Sequence, residues 1–288
     1  MATQTFRAAA IQMRSGVDPQ RNIAELAECV AEAVSLGARY IQTPEMTGAL
    51  ISKRASLMDV LCNETDDPVV HAASGLAEKH GIYLHIGSTA VAVANDKIAN
   101  RAFVFDPRGK IVARYDKIHM FDVDLDNGES WRESATYEPG KNAVLVALPF
   151  VRMGLGICYD VRFPDLFQKQ ARAGANLLTA PAAFTRQTGE AHWHVLQRAR
   201  AIENGAFVVS AAQGGAHEDG RETYGHSLIV DPWGRIIAEA DHNDPAVIVA
   251  DIDPAASFAA RAKIPNLKND RTFDLETVDV PETARETV

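Results

Sequence analysis

The sequence predicts an α/β protein in which two related halves form a four-layer α-β-β-α sandwich. Three pairs of similar segments support this prediction, and the pairs occur in the same order in the first and second halves of the chain. Their strands are continuous apolar runs, which is the pattern of a sheet buried on both faces. Two such sheets packed face to face, with helices outside, make four layers.

The first pair of segments predicts one equivalent strand in each half. The segments are residues 37–44 (GARYIQTP) and 174–181 (GANLLTAP). Each follows a helical pattern and runs through apolar residues to a proline, which lacks the N–H donor that a strand needs. We therefore expect buried strands that end at Pro44 and Pro181.

The other two pairs extend each half into a sheet. Residues 80–87 (HGIYLHIG) and 204–211 (NGAFVVSA) both place a glycine at a helix end, before an apolar strand. Residues 104–113 (VFDPRGKIVA) and 229–238 (IVDPWGRIIA) both place Asp-Pro-x-Gly between two β-rich runs. This composition favours a hairpin, because proline presets φ and glycine supplies the permissive position.

The pattern predicts a single domain over residues 1–275, since no stretch rich in Gly, Ser or Pro divides it. Residues 255–262 fit a short helix. Residues 276–288 are acidic and poor in aromatic side chains, so we expect a flexible C-terminal tail.

The composition excludes several classes of protein. The 288 residues are 47% hydrophobic and carry a net charge of −9, with Lys and Arg scattered rather than clustered as nucleic acid would require. No apolar run approaches the roughly 18 residues of a membrane helix, and the start lacks a signal-peptide pattern. Cys29, Cys62 and Cys158 are too few and too widely spaced for a disulfide framework, so we expect a protein of the reducing cytoplasm.

Cys158 lies where a strand passes into a turn before a helix. Residues 151–158 (VRMGLGIC) predict a buried strand, and Pro164 marks the start of the helix. Backbone N–H groups and the nearby helix N-terminus are expected to lower the pKa of the thiol, which suits a nucleophile. The alternative is a small core residue, the commoner role of a free cysteine.

Glu45 and Lys117 are two strand-end residues at which the halves differ, since their counterparts are Ala182 and His242. Ligand sites lie beyond the carboxyl ends of parallel strands, so we expect both to converge with Cys158. A nucleophilic thiolate, a glutamate that holds a proton near neutral pH and an oxyanion-stabilising lysine form a coherent catalytic set. A structural ion pair is the alternative role of Glu45 and Lys117.

Three segments resemble the nitrilase superfamily of carbon–nitrogen hydrolases: residues 43–46 (TPEM), 115–119 (YDKIH) and 156–164 (GICYDVRFP). The resemblance runs from about residue 6 to residue 275. It implies the α-β-β-α sandwich and a catalytic set of Glu45, Lys117 and Cys158. It also implies a homodimer through the sandwich, with C-terminal segments crossing between subunits.

Further segments resemble the branch of amidases that act on deaminated glutathione and on omega-amides of 2-oxo acids. Residues 131–134 (WRES) lie where that branch carries a second active-site glutamate, which implies this role for Glu133. Residues 183–193 and 224–227 resemble its substrate-side segments.

The same resemblance implies substrate contacts for Phe184, Thr185 and Tyr224. Arg186 and Arg221 are candidates to bind a substrate carboxylate, because an arginine offers bidentate N–H donors. Surface arginines without a ligand are the commoner case.

Neither a metal nor another cofactor is expected. His192 and His194 flank a tryptophan, but they lack the i, i+4 spacing of a metal-binding pair, and packed or hydrogen-bonded histidines are the default. Residues 214–221 hold glycines without phosphate-loop or dinucleotide spacing, and predict a mobile loop that borders the site.

The sequence therefore predicts a cytoplasmic, cofactor-free amidase for a small-molecule amide, with no nucleic-acid or membrane partner. Cys158 would form a thioester, Glu45 would transfer protons, and Lys117 with the Tyr159 N–H would hold the oxyanion. Glu133 would orient Lys117 or the substrate. A nitrilase or an N-carbamoyl amino-acid amidohydrolase is one alternative, and an inactive dimeric binding homologue is another. Assembly of the homodimer into larger oligomers is left open.

Overall fold

The computed structural model describes residues 4–93, 97–125, 128 and 130–279. The helices are α1 (Pro19–Ser35), α2 (Arg54–Val60), α3 (Pro68–His80), α4 (Pro164–Arg172), α5 (Arg186–Asn204), α6 (Pro254–Lys263) and α7 (Asn266–Asn269), with 3₁₀ turns at Glu133–Ala135 and Cys158–Arg162. The strands are β1 (Phe6–Gln12), β2 (Tyr40–Gln42), β3 (Tyr83–Val93), β4 (Lys97–Phe105), β5 (Ile111–Asp116), β6 (Asp122–Asp124), β7 (Ser130–Arg132), β8 (Leu145–Ala147), β9 (Arg152–Gly154), β10 (Leu177–Thr179), β11 (Phe207–Ser210), β12 (Gly214–Ala216), β13 (Glu222–Tyr224), β14 (Leu228–Val230), β15 (Ile236–Glu239) and β16 (Ala246–Ile252).

Two six-stranded sheets repeat one topology. Their strand orders are β16-β1-β2-β3-β4-β5 and β15-β14-β11-β10-β9-β8. In each sheet three parallel strands continue into an antiparallel hairpin, and an antiparallel strand closes the other edge. The three repeated segments fall on β2 and β10, on β3 and β11, and on the two hairpins, which confirms the predicted halves.

The alternation of side chains along β1 places the first sheet between two cores. Ala8 and Ala10 face the core shared with the second sheet, whereas Ala9 and Ile11 face the core beneath α1 and α3. Helices α4 and α5 pack on β9 and β11 of the second sheet, where Phe167 and Trp193 are buried. The layers are therefore α-β-β-α, as predicted.

Two sequence predictions need correction. The predicted strand over 151–158 ends early, at Gly154, because the next residues leave the ladder and bond singly, Leu155 N to Val144 O and Cys158 N to Pro181 O. The predicted loop over 214–221 is in part a strand, since β12 pairs with β13 in a short hairpin.

The C-terminal segment leaves the sandwich after β16. The predicted helix over 255–262 is confirmed as α6. Residues 270–279 form no helix or strand, and Phe273 and Leu275 there are 87% and 90% exposed. Residues 280–288, most of the predicted tail, lie outside the described residues. The limit of the domain at residue 275 remains a prediction. None of the described helices has the length and apolar character needed to cross a bilayer.

Candidate active site

The structure brings the three predicted strand-end residues to one cavity. Glu45 follows β2, Lys117 directly follows β5, and Cys158 opens the 3₁₀ turn after β9. All three line a cavity of about 400 Å³ between the carboxyl ends of the two sheets. Cys158 has φ of +47°, and Met46 beside Glu45 has φ of +56°. Such left-handed backbones are strained for residues with a side chain, and strain of this kind clusters at functional sites.

Lys117 is held between two carboxylates. Its Nζ lies 2.9 Å from Glu45 Oε1 and 2.9 and 2.8 Å from the two oxygens of Glu133. The side chains of Lys117 and Glu45 are only 2% and 6% exposed, so this ion pair is shielded from water. Glu133 also accepts from the Phe121 N–H at 2.7 Å. The predicted contact of Glu133 with Lys117 is therefore present.

The site gives Glu45 and Lys117 their charged forms. Burial alone would raise the pKa of Glu45, but the charge and hydrogen bond of Lys117, with the N–H of Ala183, lower it below its usual value. Burial would lower the pKa of Lys117, but Glu133 and Glu45 together raise it well above normal. Glu45 is thus an ionised acceptor at neutral pH, in contrast to the protonated glutamate that we expected.

The Cys158 thiol also differs from the expectation. Burial raises its pKa well above normal, and the charge of Glu45, to which the thiol hydrogen-bonds, adds to this effect and outweighs Lys117. The amide of Cys158 already donates to Pro181 O at 2.8 Å. The turn of five residues therefore does not produce the low pKa that a helix N-terminus was expected to give. The resting pair is a thiol and a carboxylate.

Tyr159 is the remaining backbone candidate for holding an oxyanion. It follows the cysteine in the 3₁₀ turn and lines the cavity. The Cys158 amide already donates to Pro181, so it is not free to bind an oxyanion. The Tyr159 N–H, which is next along the turn, therefore stays the predicted donor.

The predicted substrate contacts divide into two groups. Phe184, Thr185 and Arg221 line the cavity, and Arg221 lies 5.2 Å above the Trp131 ring while its Nε donates to Asp219 at 2.8 Å.

Arg186 and Tyr224 do not line the cavity. Arg186 is 57% exposed and pairs with Glu190 and Glu222 in an adjoining, more open pocket, which shares Trp131, Arg221 and Glu222 with the cavity. Tyr224 packs against His226, and only its backbone N–H reaches the wall of the cavity, at Phe184 O.

Asn100 is a site residue that sequence reasoning missed. Its Nδ2 donates to Glu45 at 2.9 Å and to Glu133 at 3.1 Å, and its backbone carbonyl accepts from the Lys117 N–H. The signal available in the sequence was a polar amide inside the apolar strand β4, since a buried polar side chain needs partners.

Asp160 is a second missed residue, and it connects two parts of the site. Its fully buried carboxylate accepts from Tyr115 Oη, from the N–H and ring of His119, and from the Ile157 N–H, at 2.7 to 3.0 Å. Tyr115 and His119 lie two residues before and after Lys117, and Ile157 directly precedes Cys158. The sequence placed Asp160 two residues after the cysteine but gave no sign of these partners.

The described residues contain one group that could hold a metal, and it lies apart from the cavity lining. His194, His226 and Glu239 bring their ligand atoms within 4.8 Å of one another. His192 is not part of it, since its ring contacts Arg162 instead.

Comparisons with known proteins found similar chains over most of the length of this one. A model of the carbon–nitrogen hydrolase family matches residues 7–262. The deaminated glutathione amidase of Yersinia enterocolitica is 38% identical over 266 residues, which cover 91% of this chain and 92% of that protein. The human omega-amidase NIT2 is 33% identical over 96% of this chain and 98% of its own length. The crystal structure of Saccharomyces cerevisiae Nit3, a member of the nitrilase superfamily, superposes with a TM-score of 0.82 at 30% identity, over 91% of this chain and 95% of that chain.

Proposed function

Because this chain belongs to the carbon–nitrogen hydrolase family and is an enzyme that hydrolyses carbon–nitrogen bonds, we propose that it converts a small carboxamide to an acid and ammonia through a cysteine thioester. The observation that carries the proposal is the buried contact of Lys117 with Glu45 and Glu133 in the same cavity as the Cys158 thiol. Such a group has a nucleophile, a base and a fixed positive charge.

In the first half of the reaction, the Cys158 sulfur attacks the amide carbonyl while its proton moves to Glu45. The negative charge that develops on the carbonyl oxygen is stabilised by Lys117 and the Tyr159 N–H. The protonated Glu45 then passes its proton to the leaving nitrogen. The C–N bond breaks, ammonia leaves, and the acyl group remains on sulfur as a thioester.

In the second half, Glu45 is again a carboxylate and accepts a proton from water. The resulting hydroxide equivalent attacks the thioester carbonyl, with the same two donors on the oxyanion. The C–S bond breaks, the proton returns to the sulfur, and the carboxylic acid leaves. The raised pKa of the thiol and the lowered pKa of Glu45 return both groups to their starting forms.

We propose that the substrate carries a carboxylate away from its amide, and that Arg221 binds it. Arg221 is fixed at the cavity wall by Asp219 and Trp131, and its guanidinium can present a bidentate pair of donors. Deaminated glutathione and an omega-amide of a 2-oxo acid both have this chemistry, and the names of the two enzyme relatives favour them.

Ammonia release from a panel of substrates tests the proposal. The panel contains deaminated glutathione, 2-oxoglutaramate, a simple aliphatic amide, an N-carbamoyl amino acid and a nitrile. We expect turnover of the first two, loss of turnover in Cys158→Ala, and normal turnover in Cys62→Ala, whose cysteine lies outside the cavity lining. The Arg221→Gln variant should raise KM for the carboxylate substrates far more than for the aliphatic amide.

Other outcomes would select the alternatives. Turnover of only the nitrile, or of the carbamoyl compound with release of carbon dioxide, would replace the amidase by a nitrilase or a carbamoylase with the same residues. Silence across the panel, with a Cys158 that iodoacetamide does not modify even at alkaline pH where the thiol ionises, would favour an inactive binding homologue.

We also propose that the protein is a cytoplasmic homodimer. All three cysteines are free, as a reducing compartment requires. Val195 and Ile202 on α5 are 67% and 52% exposed, and the extended segment after α7 exposes Phe273 and Leu275, so a second copy would bury apolar surface in both places. Sedimentation equilibrium of the full chain should give twice the monomer mass, and a monomer at micromolar concentration would contradict the proposal.

A further inference from the structure

Outside the catalytic cavity, two imidazoles converge on one carboxylate oxygen. Glu239 Oε1 lies 2.6 Å from His194 Nε2 and 3.2 Å from His226 Nδ1. The three side chains come from three separate parts of the fold: His194 from α5, Glu239 from the end of β15, and His226 from the turn before β14. Sequence order gave no sign of this group, because its members are far apart along the chain.

Side-chain packing fixes the orientation of both rings. Tyr224 stacks on the His226 ring at 4.3 Å and meets the His194 ring edge-on at 5.8 Å, and the two imidazoles meet each other at 5.4 Å. All three candidate ligands are half-buried, with side chains 20% to 29% exposed. The group is therefore both held in place and open to an ion from solvent.

We propose that His194, His226 and Glu239 bind one divalent transition-metal ion of the zinc type. Two histidines and one glutamate are a known donor set for zinc sites with an open fourth position. Bonds of about 2.0–2.2 Å to a tetrahedral zinc would place the ligand atoms about 3.3–3.5 Å apart. The atoms here lie within 4.8 Å of one another, so side-chain movements of about 1 Å would suffice.

Metal binding changes the protons of the group in a defined way. Because an ionised carboxylate can only accept, His194 Nε2 and His226 Nδ1 must carry the protons of their hydrogen bonds to Glu239. A bound ion takes the lone pairs of these two nitrogens, so the proton of each neutral ring moves to His194 Nδ1 and His226 Nε2. The fourth position is left to water. The proposal departs from the sequence expectation of a metal-free protein, which considered only the neighbouring His192 and His194.

Calorimetric titration with zinc chloride tests the site. The full-length Cys158→Ala protein is used, after treatment with a chelator, so that the cavity thiol cannot bind the ion. His194→Gln and Glu239→Gln are made in the same background. The matched control is His192→Gln, which removes a histidine from the same helix but not from the group. Cobalt(II) spectra of each protein report whether a thiolate of Cys29 or Cys62 is a ligand instead.

We expect one zinc ion per chain and a rise in Tm on zinc addition. Loss of an outer-shell partner costs about 10–100-fold in metal affinity, so loss of a ligand in His194→Gln or Glu239→Gln should cost at least about 100-fold. His192→Gln should bind like the parent. Equal affinity in all variants, no saturable binding, or a thiolate band in the cobalt spectrum would overturn the proposal and leave a hydrogen-bonded group only.

Discussion

At the scale of single residues, the Cys158 thiol and the Glu45 carboxylate share one proton, and their surroundings decide which of them holds it. Burial and the charge of Glu45 keep the proton on sulfur, while Lys117 and the Ala183 N–H keep Glu45 ionised. In the proposed mechanism, the proton moves to Glu45 as the sulfur attacks a substrate. The site avoids a permanently reactive thiolate, which would be open to oxidation.

Replacing Glu45 with glutamine should separate reactivity from turnover. Turnover should fall by about 10²–10⁴-fold, because the proton acceptor is lost. The pKa of Cys158 should fall, because the negative charge and hydrogen bond that raise it are removed. The alkylation rate of Cys158 by iodoacetamide, followed by mass spectrometry across pH, should then reach its midpoint at a lower pH than in the parent.

The control for this experiment is Glu222→Gln, which removes a carboxylate from the cavity wall that pairs with Arg186 rather than with the thiol. Its alkylation profile should match that of the parent. An unchanged or higher midpoint in Glu45→Gln would show that Glu45 does not set the state of the thiol.

We predict that Asn100 positions the carboxylates of the site, so that its loss lowers kcat with little change in KM. Its amide keeps the like-charged Glu45 and Glu133 on either side of Lys117. In Asn100→Ala the two carboxylates lose this donor, the pKa of Glu45 should rise, and the acid limb of the kcat profile should move to higher pH. Displacement of catalytic groups by about 1 Å costs on the order of 100-fold in rate.

A buried asparagine of the second half gives the comparison. Asn176→Ala removes a side chain that accepts from the Arg152 N–H, remote from the cavity. It should lower stability without moving the pH profile. The same profile shift in both variants would mean that Asn100 acts only through the fold.

At the scale of elements, Asp160 connects β5, which leads directly into Lys117, to the 3₁₀ turn that begins at Cys158. Its Oδ2 accepts from Tyr115 Oη and from the Ile157 N–H, and its Oδ1 accepts from His119. β5 belongs to the first sheet and the turn follows β9 of the second, so this carboxylate helps to set the distance between the lysine and the cysteine. Packing of His119 on Phe163 at 3.5 Å extends the same connection toward α4.

Asp160→Asn should weaken both stability and catalysis, because an amide NH₂ would face groups that are themselves donors. Leaving a buried donor unpaired costs about 1–3 kcal/mol of unfolding free energy. kcat should fall about 100-fold with KM nearly unchanged. Urea unfolding and steady-state kinetics measure the two effects.

Tyr115→Phe removes one of the donors to Asp160. It should lower the free energy of unfolding and kcat by less than Asp160→Asn does. If Asp160→Asn lost stability but kept kcat, Asp160 would be a structural residue only.

Much of the arrangement of elements was predictable, because it rests on local signals that occur twice. The Asp-Pro-x-Gly turns gave both hairpins, and the Gly81 and Gly205 caps, with left-handed φ of 65° and 51°, gave the helix ends before β3 and β11. The pairing of β16 with β1 had no such signal, since it joins residues about the whole chain apart. The short β12–β13 hairpin was missed for a different reason, because β12 (Gly214–Ala216) is rich in glycine, which predicts a loop rather than a strand.

The meeting of Glu45, Lys117 and Cys158 at one cavity was predictable from the sequence, whereas their electrostatics were not. Glu45, Lys117 and Cys158 stand at strand ends in segments with family-like motifs, and the sheet topology brings strand ends together. The pKa directions of Glu45 and Cys158 depend on burial and on partners such as Ala183, which come from distant parts of the chain. Local sequence likewise could not tell Arg221, at the cavity, from Arg186, at the surface.

At the scale of the whole molecule, the two halves meet closely at Gly87 in β3, beside the segments that lead to Glu45 and Cys158. A Cβ at this position would lie 2.1 Å from Thr43 O, 2.6 Å from Pro44 O and 2.6 Å from Pro181 Cβ. Pro44 precedes Glu45, and Pro181 accepts the hydrogen bond of the Cys158 amide. A side chain at residue 87 would therefore push against the chain that leads into Glu45 and against Pro181, whose carbonyl holds the Cys158 amide.

Gly87→Ala should lower the free energy of unfolding by about 1–3 kcal/mol through overpacking, and should reduce kcat about 100-fold through displacement of Glu45 from Cys158. Gly75→Ala adds the same methyl group at an exposed position inside α3, where a Cβ meets nothing within 4 Å. That variant should gain about 0.5–1 kcal/mol and keep full activity, since alanine favours the helix over glycine. Urea unfolding and ammonia release are measured on both proteins. A normal kcat in Gly87→Ala would contradict this prediction. It would mean that the two halves can separate here without moving the catalytic groups, and that the contacts of Lys117 and Asp160 alone fix the geometry of the site.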